Sequence, residues 1–280
     1  MAHILAIDLG KFKSVACDYD EATHGHTFTT LATTPQAVHD MIVERLPASG
    51  GGADPGGRGR VVIEVGSQAG WVKDLCEALG VETQIANPNH EAWRWKHIKR
   101  KTDKDDALKL AQMSALGQLP TVELPGVRVR QWRALIGYRW TLVGRRTAIK
   151  NSLRAILDRQ GMRMPAGKSG WTHKAVSALR LEARTLDDLT AEELWRGQLH
   201  VELQALEQVG LLIEQVESKL EALAKADARV QRLQTIPGVG PRLSEVLVAV
   251  IDRPERFRRE ETVSDTVFGG NMKDKPRSPC

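Results

Sequence analysis

Four carboxylates in the first half of the sequence have the residue types and spacing for metal-ion chemistry. Asp8 closes one apolar run and Glu64 interrupts another, and a charge in such a position needs a partner or a metal. Asp103 and Asp106 lie three residues apart at the start of a predicted helix, so they share one face of it. Four converging carboxylates would repel one another unless cations neutralise them, and oxygen-only ligands favour Mg²⁺. Two such ions can activate an attacking oxygen and stabilise a leaving one, which is phosphodiester chemistry.

Simpler explanations exist for single members of this set. Thr102 or Asp103 could cap the helix, and acids are favoured in a first helical turn. Capping leaves Glu64 unexplained. The strand-Asp-Leu-Gly pattern at Asp8 also opens actin-like and sugar-kinase folds, but such an ATPase should carry a second phosphate loop of Asp and glycines, which the sequence does not show.

The residue patterns also predict the elements that must position these carboxylates. Strands are predicted at 3–9, 14–19, 26–31, 61–65 and 82–86, and helices from Pro35, at 71–79 and at 103–116. A glycine-rich surface loop is predicted at 49–59, and Gly10 would permit a tight turn after Asp8. The order β-β-β-α-β-α-β-α is that of an α/β ribonuclease-H-like fold. In that fold Asp8, Glu64 and the start of the third helix lie at one end of the sheet.

The sequence beyond Pro120 predicts helices throughout and a strongly basic stretch. Between Arg128 and Lys168 there are eleven basic residues and one acid, Asp158, on a segment with helical apolar spacing. Such one-sided charge favours contact with nucleic acid over an ordinary solvated helix face. The basic residues are Arg128, Arg130, Arg133, Arg139, Arg145, Arg146, Lys150, Arg154, Arg159, Arg163 and Lys168.

A heptad pattern from Leu199 predicts a coiled-coil-like helix further along the chain. This helix could associate with a second copy, or it could pack against the basic helix of the same chain. The heptad positions are Leu199, Glu202, Leu206, Val209, Ile213, Val216, Leu220 and Leu223.

The bulk properties fit a folded protein of the cytoplasm. The 280 residues carry a net charge of +5, and the sequence has neither an export signal nor an apolar run of the roughly 20 residues that span a bilayer. Cys17, Cys76 and Cys280 have no spacing that suggests a disulfide or a metal site.

With Asp8, Glu64 and the motif Lys-Thr-Asp-x-x-Asp-Ala at 101–107, the sequence resembles the DEDD-type insertion-sequence transposases, the IS one-ten family. The hairpin Ile-Pro-Gly-Val-Gly-Pro at 236–241 resembles the helix-hairpin-helix of DNA-binding proteins, in which Gly238 and Gly240 would let backbone amides approach phosphates. A turn without DNA contact is the simpler reading of that short motif.

The resemblance implies a ribonuclease-H-like (Holliday-resolvase-like) domain in which Asp8, Glu64, Asp103 and Asp106 bind two Mg²⁺ ions. It also implies DNA recombination in a bacterial cytoplasm, guided by a structured RNA from the element, with a serine of a second domain linked covalently to DNA. Because recombination holds two duplexes, a homodimer or tetramer is expected.

The C-terminal sequence departs from the family pattern. Residues 257–280 do not match it, and Ser264 and Ser278 lack the expected surroundings, so no serine nucleophile is assigned. The sequence is therefore interpreted as a truncated or frameshifted copy, with a ribonuclease-H-like domain at 1–120, a basic and coiled-coil region at 121–225 and an incomplete helix-hairpin-helix domain at 226–280. The alternative to an active recombinase is a catalytically dead fragment that still binds nucleic acid.

Overall fold

This computed structural model describes residues 3–46, 59–88, 90 and 102–254. The chain divides into two units, Met1–Val127 and Arg128–Cys280, called here the N-terminal and C-terminal units. Residues 49–58 of the predicted loop at 49–59 lie outside the described residues, as do Ser264, Ser278 and Cys280. The division into three domains stays a prediction.

The N-terminal unit is built on a mixed five-stranded sheet. Its strands are β1 (His3–Asp8), β2 (Lys13–Asp20), β3 (His26–Ala32), β4 (Arg60–Glu64) and β5 (Glu82–Ala86). The order across the sheet is β3-β2-β1-β4-β5. The strands β1, β2 and β3 form an antiparallel meander, whereas β4 is parallel to β1 and β5 is parallel to β4.

In the described part of the N-terminal unit, three helices cover the two faces of this sheet: α1 (Pro35–Arg45), α2 (Ala69–Leu79) and α3 (Asp103–Ala115). Alternate residues of β1 point to opposite faces, so Leu5 and Ile7 pack with α1 and α2, whereas Ile4 and Ala6 pack with α3. The predicted element order is confirmed, and the five strands and three helices are compatible with a ribonuclease-H-like fold. The face of α3 that meets the sheet buries Ala107, Leu110, Ala111 and Ser114, which recur at helical spacing.

The N-terminal unit continues past the predicted domain end at residue 120. Thr121 forms a β-bridge with Ala86, and the Val122 amide donates to the Ile85 carbonyl over 2.8 Å. Val122 and Leu124 then pack against the core that α1 and α2 cover. The segment after Pro120 therefore still contacts β5 and the core of the N-terminal unit.

The C-terminal unit is helical in its described part. Its helices are α4 (Val127–Arg159), α5 (His173–Glu182), α6 (Leu194–Lys225), α7 (Ala228–Gln234) and α8 (Pro241–Ile251). Among the described residues, no helix has the length and apolar character needed to cross a membrane.

The helices α4 and α6 pack against each other in opposite directions. Near the start of α4, Trp132 shares a core with Leu220 near the end of α6. Near the end of α4, Leu153 shares a second core with Leu199 near the start of α6. No heptad position of α6 is exposed. Packing within one chain, one of the two alternatives for the heptad pattern, is therefore observed, while association between copies stays a prediction.

Candidate active site

Asp8 and Glu64 are the last residues of two neighbouring parallel strands. Ile7 of β1 pairs with Ile63 of β4, and each carboxylate follows its isoleucine by one residue. Adjacent strands lie roughly 4.8 Å apart, so the two acidic residues are neighbours at one rim of the sheet. Both are partly buried.

The alternation of side chains places these two acids on the face of the sheet that α3 covers. Two residues before Asp8, Ala6 belongs to the core beneath α3, and two residues before Glu64, Val62 belongs to the same core. Because side chains two apart in a strand share a face, Asp8 and Glu64 lie on that side of the sheet.

The direction of α3 brings its first turn to the same rim. Near its other end, Ser114 accepts a hydrogen bond over 2.8 Å from Nε of Arg60, the first residue of β4. The C-terminal end of α3 therefore lies at the start of β4, and its N-terminal end lies toward the end of β4. Asp103 and Asp106 belong to that first turn, Asp103 exposed and Asp106 half-buried.

Helix capping explains a different aspartate of this segment. Thr102 is the N-cap, and its hydroxyl oxygen accepts from the Asp105 amide over 3.3 Å. The Asp105 carboxylate accepts in return from the Thr102 amide over 3.2 Å, which completes a capping box. Asp105 is exposed, as Asp103 is. The sequence suggested Thr102 or Asp103 as the cap, and Thr102 is confirmed.

The four carboxylates share one face and one end of the sheet without forming a compact cluster. Within the described ranges, no group of three or more His, Cys, Asp or Glu side chains is arranged closely enough to hold a metal ion. The donor set itself fits Mg²⁺, because all four side chains offer carboxylate oxygens.

Two features of the loops after β1 and β4 stabilise the end of the sheet beside Asp8 and Glu64. A side chain on Gly10 would place its Cβ 2.2 Å from the Lys13 carbonyl oxygen, so the turn after Asp8 has room only for glycine. The Gln68 side-chain amide donates to the Gly10 carbonyl over 2.9 Å, which joins the loop after β4 to the loop after β1. Sequence reasoning missed Gln68. Its only signal in the sequence is that it is polar and follows Glu64 by four positions.

Comparison with known proteins gives independent evidence about the family of this chain. The family model for DEDD transposases of the IS110 type, described as a transposase, matches residues 5–161, which is more than half of the chain. The chain belongs to this transposase family. It is also 29% identical over 208 residues to the transposase for insertion sequence element IS1111A of Coxiella burnetii (strain RSA 493 / Nine Mile phase I). That alignment covers 74% of this chain and 55% of the relative, so the chain spans about half the length of the curated relative it matches.

The basic residues of this family member have different surroundings along α4. Arg133 donates to the carbonyls of Ala249 and Val250 at the end of α8, over 2.6 and 2.9 Å. Arg139 donates to Glu217 of α6 over 2.6 Å. These two arginines, predicted to contact nucleic acid, join helices within the unit. The other predicted contacts are exposed at Arg128 and Arg145 and partly buried at Arg130, Arg146, Lys150 and Arg154.

The predicted hairpin lies between α7 and α8, which pack together. Gly238 has a φ of +85°, a conformation that L side chains rarely adopt, so the turn itself requires glycine there. Gly240 precedes α8 with a negative φ, and a Cβ added to it would meet nothing within 4 Å among the described residues. The fold of the described chain therefore explains Gly238 and gives no packing reason for Gly240.

Proposed function

We propose that this chain is a Mg²⁺-dependent DNA recombinase of an insertion sequence, in which Asp8, Glu64, Asp103 and Asp106 hold two Mg²⁺ ions. The observation that carries the proposal is that Asp8 and Glu64 lie on the face that α3 covers, at the end of the sheet where α3 begins. Bound there, the ions would activate an attacking oxygen and stabilise a leaving one at a phosphodiester.

The residues of the chain contribute position and charge to this chemistry. Asp8 and Glu64 are fixed by paired strands, whereas Asp103 and Asp106 are carried by a helix whose far end is bonded to β4. Asp105 already serves as the capping acid of α3, so the two other aspartates of this turn are the ones we assign to the metal. The partial positive charge of the helix N-terminus reduces the repulsion among the carboxylates.

The nucleic-acid contacts are a second part of the proposal. The basic residues of α4 that do not join helices would bind phosphates, and the hairpin amides near Gly238 and Gly240 would approach a DNA backbone. These basic residues are Arg128, Arg130, Arg145, Arg146, Lys150 and Arg154. A structured guide RNA and a dimeric or tetrameric assembly follow from the family resemblance. The serine nucleophile that the resemblance implies is not assigned to any residue.

The decisive experiment compares single aspartate-to-asparagine variants in a strand-cleavage assay. The substrate is DNA that carries the ends of the element, with and without Mg²⁺. We expect Asp8→Asn, Asp103→Asn and Asp106→Asn each to abolish Mg²⁺-dependent cleavage. The matched control is Asp105→Asn, which removes the same charge from the same turn and should retain cleavage. Because this change weakens the helix cap, it should lower stability by about 1 kcal/mol.

Two outcomes would contradict the metal assignment. One is cleavage that is unchanged by Asp8→Asn, and the other is equal loss from Asp105→Asn and Asp106→Asn. Tight, salt-sensitive DNA binding with no cleavage under any divalent metal would favour the second candidate, a catalytically dead fragment that binds nucleic acid through α4.

A further inference from the structure

Three basic residues in the second half of α4 form a continuous ridge. Arg146, Lys150 and Arg154 follow one another at four-residue intervals, so they lie on one side of the helix at steps of roughly 6 Å. All three are partly buried. We call this set the phosphate ridge.

An aromatic ring fixes two of the three cations. Lys150 Nζ lies 4.7 Å from the centre of the Trp171 ring, and the Arg154 guanidinium carbon lies 5.2 Å from it. Trp171 itself packs against the core that contains Leu153 and Leu199. The Arg154 guanidinium also donates to the Gly167 carbonyl, over 3.4 Å. Because these contacts restrict the long side chains, an anion that binds there costs less conformational entropy.

The charge of the ridge is not balanced within the described part of the chain. Like charges one helical turn apart repel, and no ion pair involving Arg146, Lys150 or Arg154 is formed among the described residues. Burial, followed by the charges of Arg146 and Arg154, lowers the pKa of Lys150. Asp158, one turn beyond Arg154, is exposed. A bound polyanion would relieve this repulsion.

We propose that Arg146, Lys150 and Arg154 bind the sugar-phosphate backbone of a nucleic-acid duplex, and that Arg133 and Arg139 take no part in that contact. This inference rests on the proposed function in one respect, which is that the partner is a nucleic acid. It selects three of the eleven basic residues because they form one ridge beside Trp171, and it excludes Arg133 and Arg139 because these two already join α4 to α8 and α6.

The surroundings of Trp171 favour a duplex over a single strand. Proteins that bind single strands stack unpaired bases on open aromatic rings. The Trp171 ring is partly buried, packs against the core and is approached by two cations, so it offers no open platform for a base. A row of cations without a stacking ring contacts phosphates and reads no sequence.

The test measures the salt dependence of duplex binding by the full-length chain. Fluorescence anisotropy with a labelled DNA duplex of arbitrary sequence, in EDTA and over a series of NaCl concentrations, gives the slope of log K against log salt. We expect Arg146→Gln, Lys150→Gln and Arg154→Gln each to reduce that slope by about 0.9, the value for one lost phosphate contact. Lys150→Arg should restore it, because charge and ring contact are kept.

The matched control is Lys219→Gln, which removes the same charge from an exposed position of α6, outside the basic stretch, and should leave the slope unchanged. Thermal melting of each variant separates lost binding from lost folding.

If the native chain binds no nucleic acid, the nucleic-acid part of the proposed function fails together with this inference. If the native chain binds nucleic acid and the ridge variants have the same slope as the native chain, only the assignment of the phosphate contacts to the ridge is wrong. The ridge variants are also measured with a single-stranded probe and with DNA and RNA duplexes. If the slope falls more with the single strand than with the duplexes, the choice of a duplex is wrong.

Discussion

Arg60 and Ser114 connect the first residue of β4 to the last turn of α3. The guanidinium donates from Nε to the Ser114 hydroxyl over 2.8 Å and from a terminal nitrogen to the Ser114 carbonyl over 3.1 Å. The Ser114 hydroxyl in turn donates to the Gln84 side-chain oxygen of β5 over 2.7 Å. These bonds fix one end of α3, and the rigid helix transmits that position to the turn that holds Asp103 and Asp106.

Ser114→Ala should therefore destabilise the N-terminal unit. The change removes the hydroxyl that joins Arg60 to Gln84, whereas Arg60 keeps its bonds to Glu21 and to the Ser114 carbonyl, so we expect a cost of about 0.5–1.5 kcal/mol. Hydrogen exchange with peptide resolution, which follows each unit separately, measures this loss over β1 and β4. The control is Gln112→Ala at an exposed position of the same helix, which should change stability by less than about 0.5 kcal/mol. Equal protection in both variants would contradict the role of this bond.

Gly10→Ala should distort the turn beside Asp8. The new Cβ would lie 2.2 Å from the Lys13 carbonyl oxygen, which is backbone and cannot rotate away, so we expect a loss of about 1–3 kcal/mol and weaker Mg²⁺-dependent cleavage. Gly66→Ala is the matched control, since it follows β4 at the same rim and its Cβ would meet nothing within 4 Å among the described residues. Urea unfolding and the cleavage assay compare the two. Equal effects of both substitutions would contradict the steric argument.

The sequence predicted the N-terminal unit well because each of its elements has a clear local signal. The strands are short apolar runs, and α3 has apolar residues at helical spacing, so the positions of these elements followed from periodicity. The element order then placed Asp8, Glu64 and Asp103 at one end of the sheet. Periodicity did not predict the hydrogen bond from Gln68 to Gly10, because this bond joins two loops that are 58 residues apart in the chain.

The C-terminal unit was harder to predict because its basic residues look alike in the sequence. Arg133 and Arg146 have the same side chain on the same helix, yet only Arg133 reaches the end of α8, more than a hundred residues later. The heptad pattern of α6 likewise fixed which face is buried and left its partner open. Both questions depend on tertiary packing, which local patterns do not contain.

The buried thiol of Cys17 should make the N-terminal unit sensitive to alkaline pH. Burial, with a smaller contribution from the charge of Asp18, raises the pKa of Cys17 from 9.0 to about 11. Between pH 9 and pH 11 the unfolded chain therefore loses this proton while the folded chain keeps it, so stability falls as pH rises through that interval. Two pKa units correspond to about 2–3 kcal/mol.

Cys17→Ala tests this effect through the change of stability with pH rather than through stability itself. The substitution lowers stability at neutral pH because it removes a buried sulfur, but it should flatten the decline between pH 9 and pH 11. Urea unfolding at a series of pH values gives both quantities. A decline of the same steepness in the variant would show that other groups cause it.

Arg133→Met should destabilise the C-terminal unit without changing its affinity for nucleic acid. Ala249 and Val250 lie in the last turn of α8, where helix carbonyls lack partners within the helix, and Arg133 donates to both. Methionine keeps much of the aliphatic stem and removes the charged donors, so we expect a loss of about 1.5–3 kcal/mol in urea unfolding. The salt dependence of duplex binding should stay that of the native chain, whereas Lys150→Gln should change it. A variant of Arg133 that keeps full stability and loses salt dependence would show that this arginine binds phosphate.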